Sequence, residues 1–376
     1  MKVPMVNIHA EYLKLKEEID KNILKVINNS DFINGEEVKE FQAELACYLN
    51  VKNVITCGNG TDALQIALMA LDLQPDDEVI TSDFSFIATA EAVAFLKLRP
   101  VFVDVYEDTY NINVEKIEAA ITPKTKVIVP VHLFGQCADM EKIMLIAKKY
   151  NLFVIEDTAQ ATGCDYFFSD GTYKKAGTIG DIACTSFFPS KNLGCYGDGG
   201  AIFTNDETLA DKIKMIVNHG SKIKYFHEII GVNSRLDTIQ AAILQTKLPH
   251  LDEYNKARRV AADYYHNAFS KIENIIIPEI SKFSSHIFHQ YTVKLQGIDR
   301  EKLQEFLKKS GIATAIYYPM PIHKQKVFQN VLYDDNEFCV SNKLSNNVLS
   351  FPIHGEMNKE ILKYITDSVS DFFTRV

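Results

Sequence analysis

The 376-residue sequence has no CxxC pair, although it carries seven cysteines, at positions 47, 57, 137, 164, 184, 195 and 339. Without paired spacing, neither a disulfide framework nor a structural zinc site is expected, and Cys184 and Cys195 read as small buried hydrophobes. No two histidines have HExxH spacing, so no metal is assigned. Basic residues are in deficit: 40 Lys and Arg face 49 Asp and Glu, a formal charge of -9. A DNA-binding surface needs a basic excess to release counterions, so no nucleic-acid partner is expected. One small phosphorylated ligand, held by backbone amides and a local arginine, is compatible with that charge. Long apolar runs are missing as well, and the chain opens on MKVPMVNIHAEY rather than a secretory leader. A cytosolic protein with no membrane partner is therefore expected. Proline-rich, glycine/serine-rich and repeated segments do not occur.

What is present is a chain with 47% hydrophobic residues, long enough to bury a full-sized core. Residues 10 to 29 place Leu13, Ile19, Ile23 and Val26 near helical spacing, and a second helix is expected from Glu36 to Leu49. From Val54 onward short apolar strands alternate with helices: VITC, then ALQIALMAL; DEVITSD, then FIATAEAVAFLK; RPVFVDV, then NVEKIEAAI; TKVIVPVHLFG, then DMEKIMLIAKKYN; and LFVIEDTAQ. Such alternation implies an α/β fold with a mostly parallel or mixed sheet covered on both faces. IACTSFF and GGAIFTND add two strands, read as antiparallel to each other. A long helix is expected from Leu236 to Lys271, ended or bent by Pro249. YTVKLQ and IATAIYY are then expected as strands, with helices in DREKLQEFLKKSG and NKEILKYITDSVSDFF. The expected division is an N-terminal helical segment (1–49), a large domain (50–245), and a small C-terminal α+β domain with its linking helix (246–376).

Several residues stand where ligands bind. Asp157 closes the aliphatic strand LFVIED, and open α/β sheets bind ligands beyond the carboxyl ends of their strands. A buried carboxylate needs a partner; a protonated ring nitrogen would serve, and capping the next helix is the plainer alternative. Gly60 and Thr61 sit between a strand and a helix, where unpaired first-turn amides accept phosphate, although an ordinary glycine turn would look the same. CGNGTDAL is neither a dinucleotide fingerprint nor a P-loop. In SFFPSK, Ser186 precedes Lys191 by five residues, and Pro189 fixes the turn between them. Buried lysine amines form Schiff bases with carbonyl compounds, whereas most lysines are solvated charges. Phe84 and Phe86 alternate at a strand end; Phe86 is the choice for stacking on a planar group, and a core role is the alternative for both. GVNSRLD offers Asn233 and Arg235, and AIYYPMPIHKQ offers Tyr317, Tyr318 and His323 on a proline-stiffened loop.

Taken together, NGTDAL, IEDTAQ, TSFFPSKNLGCYGDGG and GVNSRLDTIQAAIL resemble the DegT/DnrJ/EryC1/StrS family of sugar-nucleotide aminotransferases. The resemblance runs from SDFINGEEV to YYPMPIH. It implies pyridoxal 5'-phosphate as cofactor and fold type I, with a large mixed-sheet α/β/α domain and a smaller C-terminal α+β domain. It further implies that Lys191 forms the Schiff base with the cofactor aldehyde and shuttles the proton, and that Asp157 bonds the pyridine nitrogen. Gln160 would lie beside the ring oxygen and Phe86 would stack on the ring. Gly60, Thr61 and Ser186 would hold the phosphate, joined by Asn233 from the second subunit of a homodimer. Arg235, Tyr318 and His323 match positions near the nucleotide sugar. The wording around Lys191 is most similar to enzymes that aminate the 3-keto group of UDP-2-acetamido-2-deoxy-glucuronate, with L-glutamate as donor, for bacterial surface polysaccharide. Amination of a dTDP-3-keto-6-deoxyhexose or a 4-keto sugar is the alternative within the family. A catalytically silent regulatory or interaction protein is the alternative outside enzymology. A related dehydratase is disfavoured because those proteins carry histidine where Lys191 stands.

Overall fold

The computed structural model describes residues 1–329 and 333–375. Helix α1 (Ile8–Asn29) begins at Asn7, whose side chain accepts from the Ala10 amide, and it buries Ile19 and Val26. Helix α2 (Glu36–Leu49) turns Val38, Phe41, Leu45 and Leu49 inward, the spacing of a single helical face.

Alternating units follow: β1 (Asn53–Cys57), α3 (Gly60–Met69), β2 (Glu78–Ser82), α4 (Ala88–Phe95), β3 (Arg99–Val103), α5 (Val114–Ala120), β4 (Thr125–Val129), α6 (Met140–Tyr150) and β5 (Phe153–Asp157). A short ribbon of β6 (Asp165–Phe167) and β7 (Tyr173–Lys175) precedes β8 (Ile182–Ser186), β9 (Gly200–Thr204) and α7 (Glu207–Ile216). Seven strands form one sheet in the order β1-β9-β8-β5-β4-β2-β3. Only β9 runs against its neighbours β1 and β8; the other pairs are parallel. The sheet is mixed, as the sequence pattern implies. Helix α3 buries Ala63, Leu64, Ile66, Ala67 and Leu68 against it, which accounts for its nearly unbroken apolar sequence. Parallel pairing of β5 with β8 sets Asp157 opposite Cys184, so both carboxyl ends open on the same side.

A hairpin of β10 (Ser221–Ile223) and β11 (Phe226–His227) leads to α8 (Thr238–Lys247) and α9 (Leu251–Phe269). The long helix expected over 236–271 is therefore two, joined by a 3-10 turn at Leu248–His250. Pro249 has no N–H to continue the ladder. A second, antiparallel sheet contains β12 (Ile275–Ile276), β13 (Tyr291–Leu295) and β14 (Val348–Phe351), with α10 (Arg300–Lys309), α11 (Cys339–Asn347) and α12 (Lys359–Arg375) as its helices.

One expected strand is absent. Among the described residues, the segment 312–318 makes only single bridges, Ile312 to Val3 and Ala315 to Ser350. With different partners at its two ends it cannot build a ladder, and it delivers Tyr317 and Tyr318 against Phe84 and Val131, just beyond the carboxyl ends of β2 and β4. Cys184 and Cys195 are buried free thiols. Among the described residues no helix is long and apolar enough to cross a membrane.

Candidate active site

A cavity of about 580 Å³ lies at the carboxyl ends of β5 and β8, and Lys191, Asp157, Gly60, Thr61, Phe86, Gln160, Ser186 and Tyr318 all line it. Asp157, the last residue of β5, is buried. Its Oδ2 accepts from the Thr89 hydroxyl at 2.7 Å and its Oδ1 from the Ala159 amide at 3.1 Å. These bonds fix the carboxylate while leaving acceptor capacity toward the cavity. Lys191 follows β8 in a turn closed by its own amide, which donates to the Phe188 carbonyl at 2.8 Å. Burial pushes the Lys191 amine down to about 8, and the Asp157 charge only partly opposes this. An ordinary lysine offers almost no neutral amine at neutral pH; this one offers a usable fraction.

The floor is the start of α3. Asn59 caps it by accepting from the Asp62 amide at 2.8 Å. A Cβ on Gly60 would come within 2.7 Å of the Ser186 Cβ, so glycine is required for this close approach of helix and strand. Ser234 was not singled out in the sequence, yet it accepts from the Gly58 amide at 2.8 Å and donates to Asp62 at 2.6 Å. It holds the loop carrying Asn233 and Arg235 against this helix start. The only sequence signal was its place between those two residues.

Phe86 is 58% exposed and presents its ring to the cavity, whereas Phe84 is buried in the core beside Tyr110 and Tyr318. Gln160 Oε1 accepts from the Phe134 amide at 2.8 Å, which directs Nε2 to the Tyr318 hydroxyl at 3.1 Å. Burial raises the Tyr318 hydroxyl well above the ordinary phenol range, so it stays protonated. The wall also contains Ser190, Asp198, His289, Gln290 and Tyr317.

Three expected residues lie apart from this wall. Asn233 is exposed and Arg235 half-buried on the loop before α8. His323 is buried in a clamp: its Nδ1 donates to Asp83 at 2.7 Å and its Nε2 to Asp335 at 3.0 Å. Within one chain it ties the loop after 318 to the end of β2 rather than facing the cavity.

The wall fits pyridoxal phosphate. An amine stands ready for the aldehyde, a fixed carboxylate for the ring nitrogen, and a helix start with no Cβ at Gly60 for the phosphate.

Comparison with known proteins agrees with this chemistry. The sequence profile of the DegT/DnrJ/EryC1/StrS aminotransferase family matches residues 13–370. A "pleiotropic regulatory protein" of Geobacillus stearothermophilus is 45% identical, over 99% of both chains. The UDP-2-acetamido-2-deoxy-3-oxo-D-glucuronate aminotransferase of Pseudomonas aeruginosa is 42% identical, over 98% of this chain and 100% of its own. The UDP-N-acetyl-3-dehydro-alpha-D-glucosamine 3-aminotransferase of Acidithiobacillus ferrooxidans is 44% identical, over 95% and 94%. Proteins named as dTDP-sugar transaminases also match. Among solved structures, S. venezuelae DesV in complex with a ketimine intermediate superimposes with a TM-score of 0.95 at 35% identity, covering 100% of this chain and 99% of that one.

Proposed function

Because the chain belongs to the DegT/DnrJ/EryC1/StrS aminotransferase family, we propose that it transfers the amino group of L-glutamate to the 3-keto group of a UDP-linked 2-acetamido-2-deoxy-hexuluronate. Its class is that of the pyridoxal-phosphate-dependent sugar-nucleotide aminotransferases. The sugar, the donor and a role in bacterial surface polysaccharide, including lipopolysaccharide O-antigen, belong to the proposal. The observation that carries it is one cavity lined by the Lys191 amine and the Asp157 carboxylate. Position 3 of a UDP-2-acetamido sugar is favoured by the names of two relatives above 40% identity. A dTDP-3-keto-6-deoxyhexose is the second reading, which the dTDP-named relatives favour.

When bound, the cofactor supplies an electron sink. The chain's residues do the rest. Asp157, immobilised by Thr89 and Ala159, would hold a proton on the pyridine nitrogen. Lys191, with its lowered pKa, takes the Cα proton of the donor and returns a proton in the reverse half. Phe86 would cover one face of the ring, Gln160 would lie beside the ring oxygen, and Gly60, Thr61 and Ser186 would receive the phosphate. We further infer a homodimer in which exposed Asn233 of one copy completes the phosphate site of the other. Arg235 and Tyr318 would meet the nucleotide sugar, and His323 would serve it through the loop it clamps.

The test is a substrate panel with glutamate and cofactor: UDP-3-keto uronate, UDP-3-keto hexosamine, dTDP-3-keto-6-deoxyhexose and a UDP-4-keto sugar. The uronate is expected to be aminated fastest; preference for another member reassigns the sugar. A regulatory role, which the name of the Geobacillus relative favours, predicts no turnover with any of the four.

A further inference from the structure

A glutamine can present either end of its amide to a ligand, and the two ends have nearly the same shape but opposite hydrogen-bonding character. For Gln160 the structure selects one. The Phe134 amide donates to Gln160 Oε1 at 2.8 Å, so the carbonyl end is engaged, and Nε2 donates to the Tyr318 hydroxyl oxygen at 3.1 Å. Gln160 and Tyr318 line the cavity. One Nε2 hydrogen therefore goes to Tyr318, and the second is left for the cavity, toward which Gln160 is a donor only.

What aims the Phe134 amide lies behind the cavity wall. Phe134 sits in the 3-10 turn Leu133–Gly135 after β4, with φ 56° and ψ 8°. This is left-handed backbone, uncommon for a phenylalanine, and it persists only where the surroundings hold it. Asn111, between β3 and α5, is 3% exposed and commits its whole side chain to the two ends of that turn. Its Oδ1 accepts from the Leu133 amide at 3.0 Å, and its Nδ2 donates to the carbonyls of Gln136 at 3.1 Å and Cys137 at 3.0 Å. Backbone amides donate and backbone carbonyls accept, so the orientation of Asn111 is settled as well. The peptide plane that carries the Phe134 N–H runs from Leu133 to Phe134, and its carbonyl accepts from the Gln136 amide at 3.1 Å. Asn111 thus grips this plane from both sides, at Leu133 directly and at its hydrogen-bond partner Gln136. The 287–290 segment holds other atoms of the turn: the Ile287 amide donates to the Gly135 carbonyl at 2.9 Å and the Gln290 amide to the Phe134 carbonyl at 3.4 Å.

We propose that Asn111 is a positioning residue for the cofactor's ring oxygen: by bracketing the peptide plane of the Phe134 N–H, it keeps Gln160 turned with its own N–H toward the cavity. The proposal rests on the reading that Gln160 lies beside the ring oxygen of pyridoxal phosphate. A donor at that place favours the oxygen's anionic form, whereas a reversed amide would set a carbonyl against it.

Two probes separate positioning from general support of the fold. One is 4-deoxypyridoxine 5'-phosphate, which carries the ring hydroxyl and has no aldehyde for Lys191; the other is the same compound without the ring hydroxyl. Their dissociation constants are measured by calorimetric titration of the full-length apoprotein. Wild type should bind the hydroxyl-bearing probe about tenfold more tightly, the worth of about one hydrogen bond. Gln160→Met removes the donor outright and sets the value for its complete loss. Asn111→Leu should bring the preference most of the way to that value, while its affinity for the hydroxyl-free probe stays near wild type. Asn111→Asp keeps the acceptor for Leu133 and drops the donated amide bonds, and it serves the same test where the leucine variant does not fold. An unchanged preference in the Asn111 variant, or equal weakening of both probes, would overturn the proposal. Absence of any preference in wild type would overturn it without a substitution. Failure of wild type to bind either probe would overturn the cofactor reading, and the proposal with it. No sugar and no turnover are involved, so a wrong sugar assignment leaves every outcome interpretable.

Discussion

Glu156 and Asp157 are neighbours on β5, yet the two faces of that strand treat them in opposite ways. Glu156 is fully buried and accepts four hydrogen bonds: His132 Nε2 at 2.9 Å, and the amides of Gly177 at 2.9 Å, Ile179 at 2.7 Å and Gly180 at 2.7 Å. Burial alone would raise its pKa, but His132 and the Gly180 and Gly177 amides bring it below the ordinary value. His132 Nδ1 accepts from the Ala138 amide at 3.2 Å, so this pair is closed on every side. Asp157 has two protein donors and an open side. A saturated carboxylate is a strut; an under-satisfied one beside an amine is a site. Since successive strand residues point to opposite faces, the distinction is set by register alone.

The contrast yields predictions. Lys191→Ala should reduce turnover by ~10^4-fold or more while leaving the thermal midpoint within a few degrees, checked by steady-state assay and calorimetry. Asp157→Asn should cost ~10^2 to 10^3-fold in kcat with little change in stability. Glu156→Gln should do the reverse, lowering unfolding free energy by about 2–3 kcal/mol in urea melts while kcat changes little. Equal effects of these two substitutions on both readouts would erase the contrast. Gly60→Ala, pressed against Ser186, should weaken cofactor affinity by about tenfold in equilibrium titration.

The smallest effect concerns pH. Burial opposes protonation of His323, but its bonds to Asp83 and Asp335 raise its pKa above the ordinary 6.5. The stability it contributes is complete below 6.5 and is lost as pH rises through the folded value. His286 is the mirror case: burial takes it to about 3, so the unfolded chain gains a proton first and stability falls as pH drops below 6.5. The urea midpoint of His323→Gln should therefore lack the decline on the alkaline side and keep the one on the acid side.

The large sheet was legible because its strands are short apolar runs, β1 to β4 each lying between helices of amphipathic or apolar pattern, and Asp157 stood out as the charge ending one run. Helix α2 was legible because a glycine break precedes it, and the structure bounds it at Gly35 and Asn50. The small sheet was legible only in part: YTVKLQ is β13 as expected, but β12 has two residues, and IATAIYY has strand composition with single bridges to two different partners instead of a ladder. His289 and Ser234 escaped for a different reason. Each is held by residues far away in sequence, His289 Nδ1 by Asn192 Oδ1 at 3.2 Å and Ser234 by Gly58 and Asp62, and no local pattern encodes such meetings. His323 illustrates the converse, a motif residue whose partners, Asp83 and Asp335, lie outside the motif.

Transfer of isotope tests the central claim most directly. Holoenzyme incubated with 15N-labelled L-glutamate and the UDP-3-keto uronate should place 15N on C3 of the sugar, and Lys191→Ala should place none there. Equal labelling by wild type and Lys191→Ala would contradict the account.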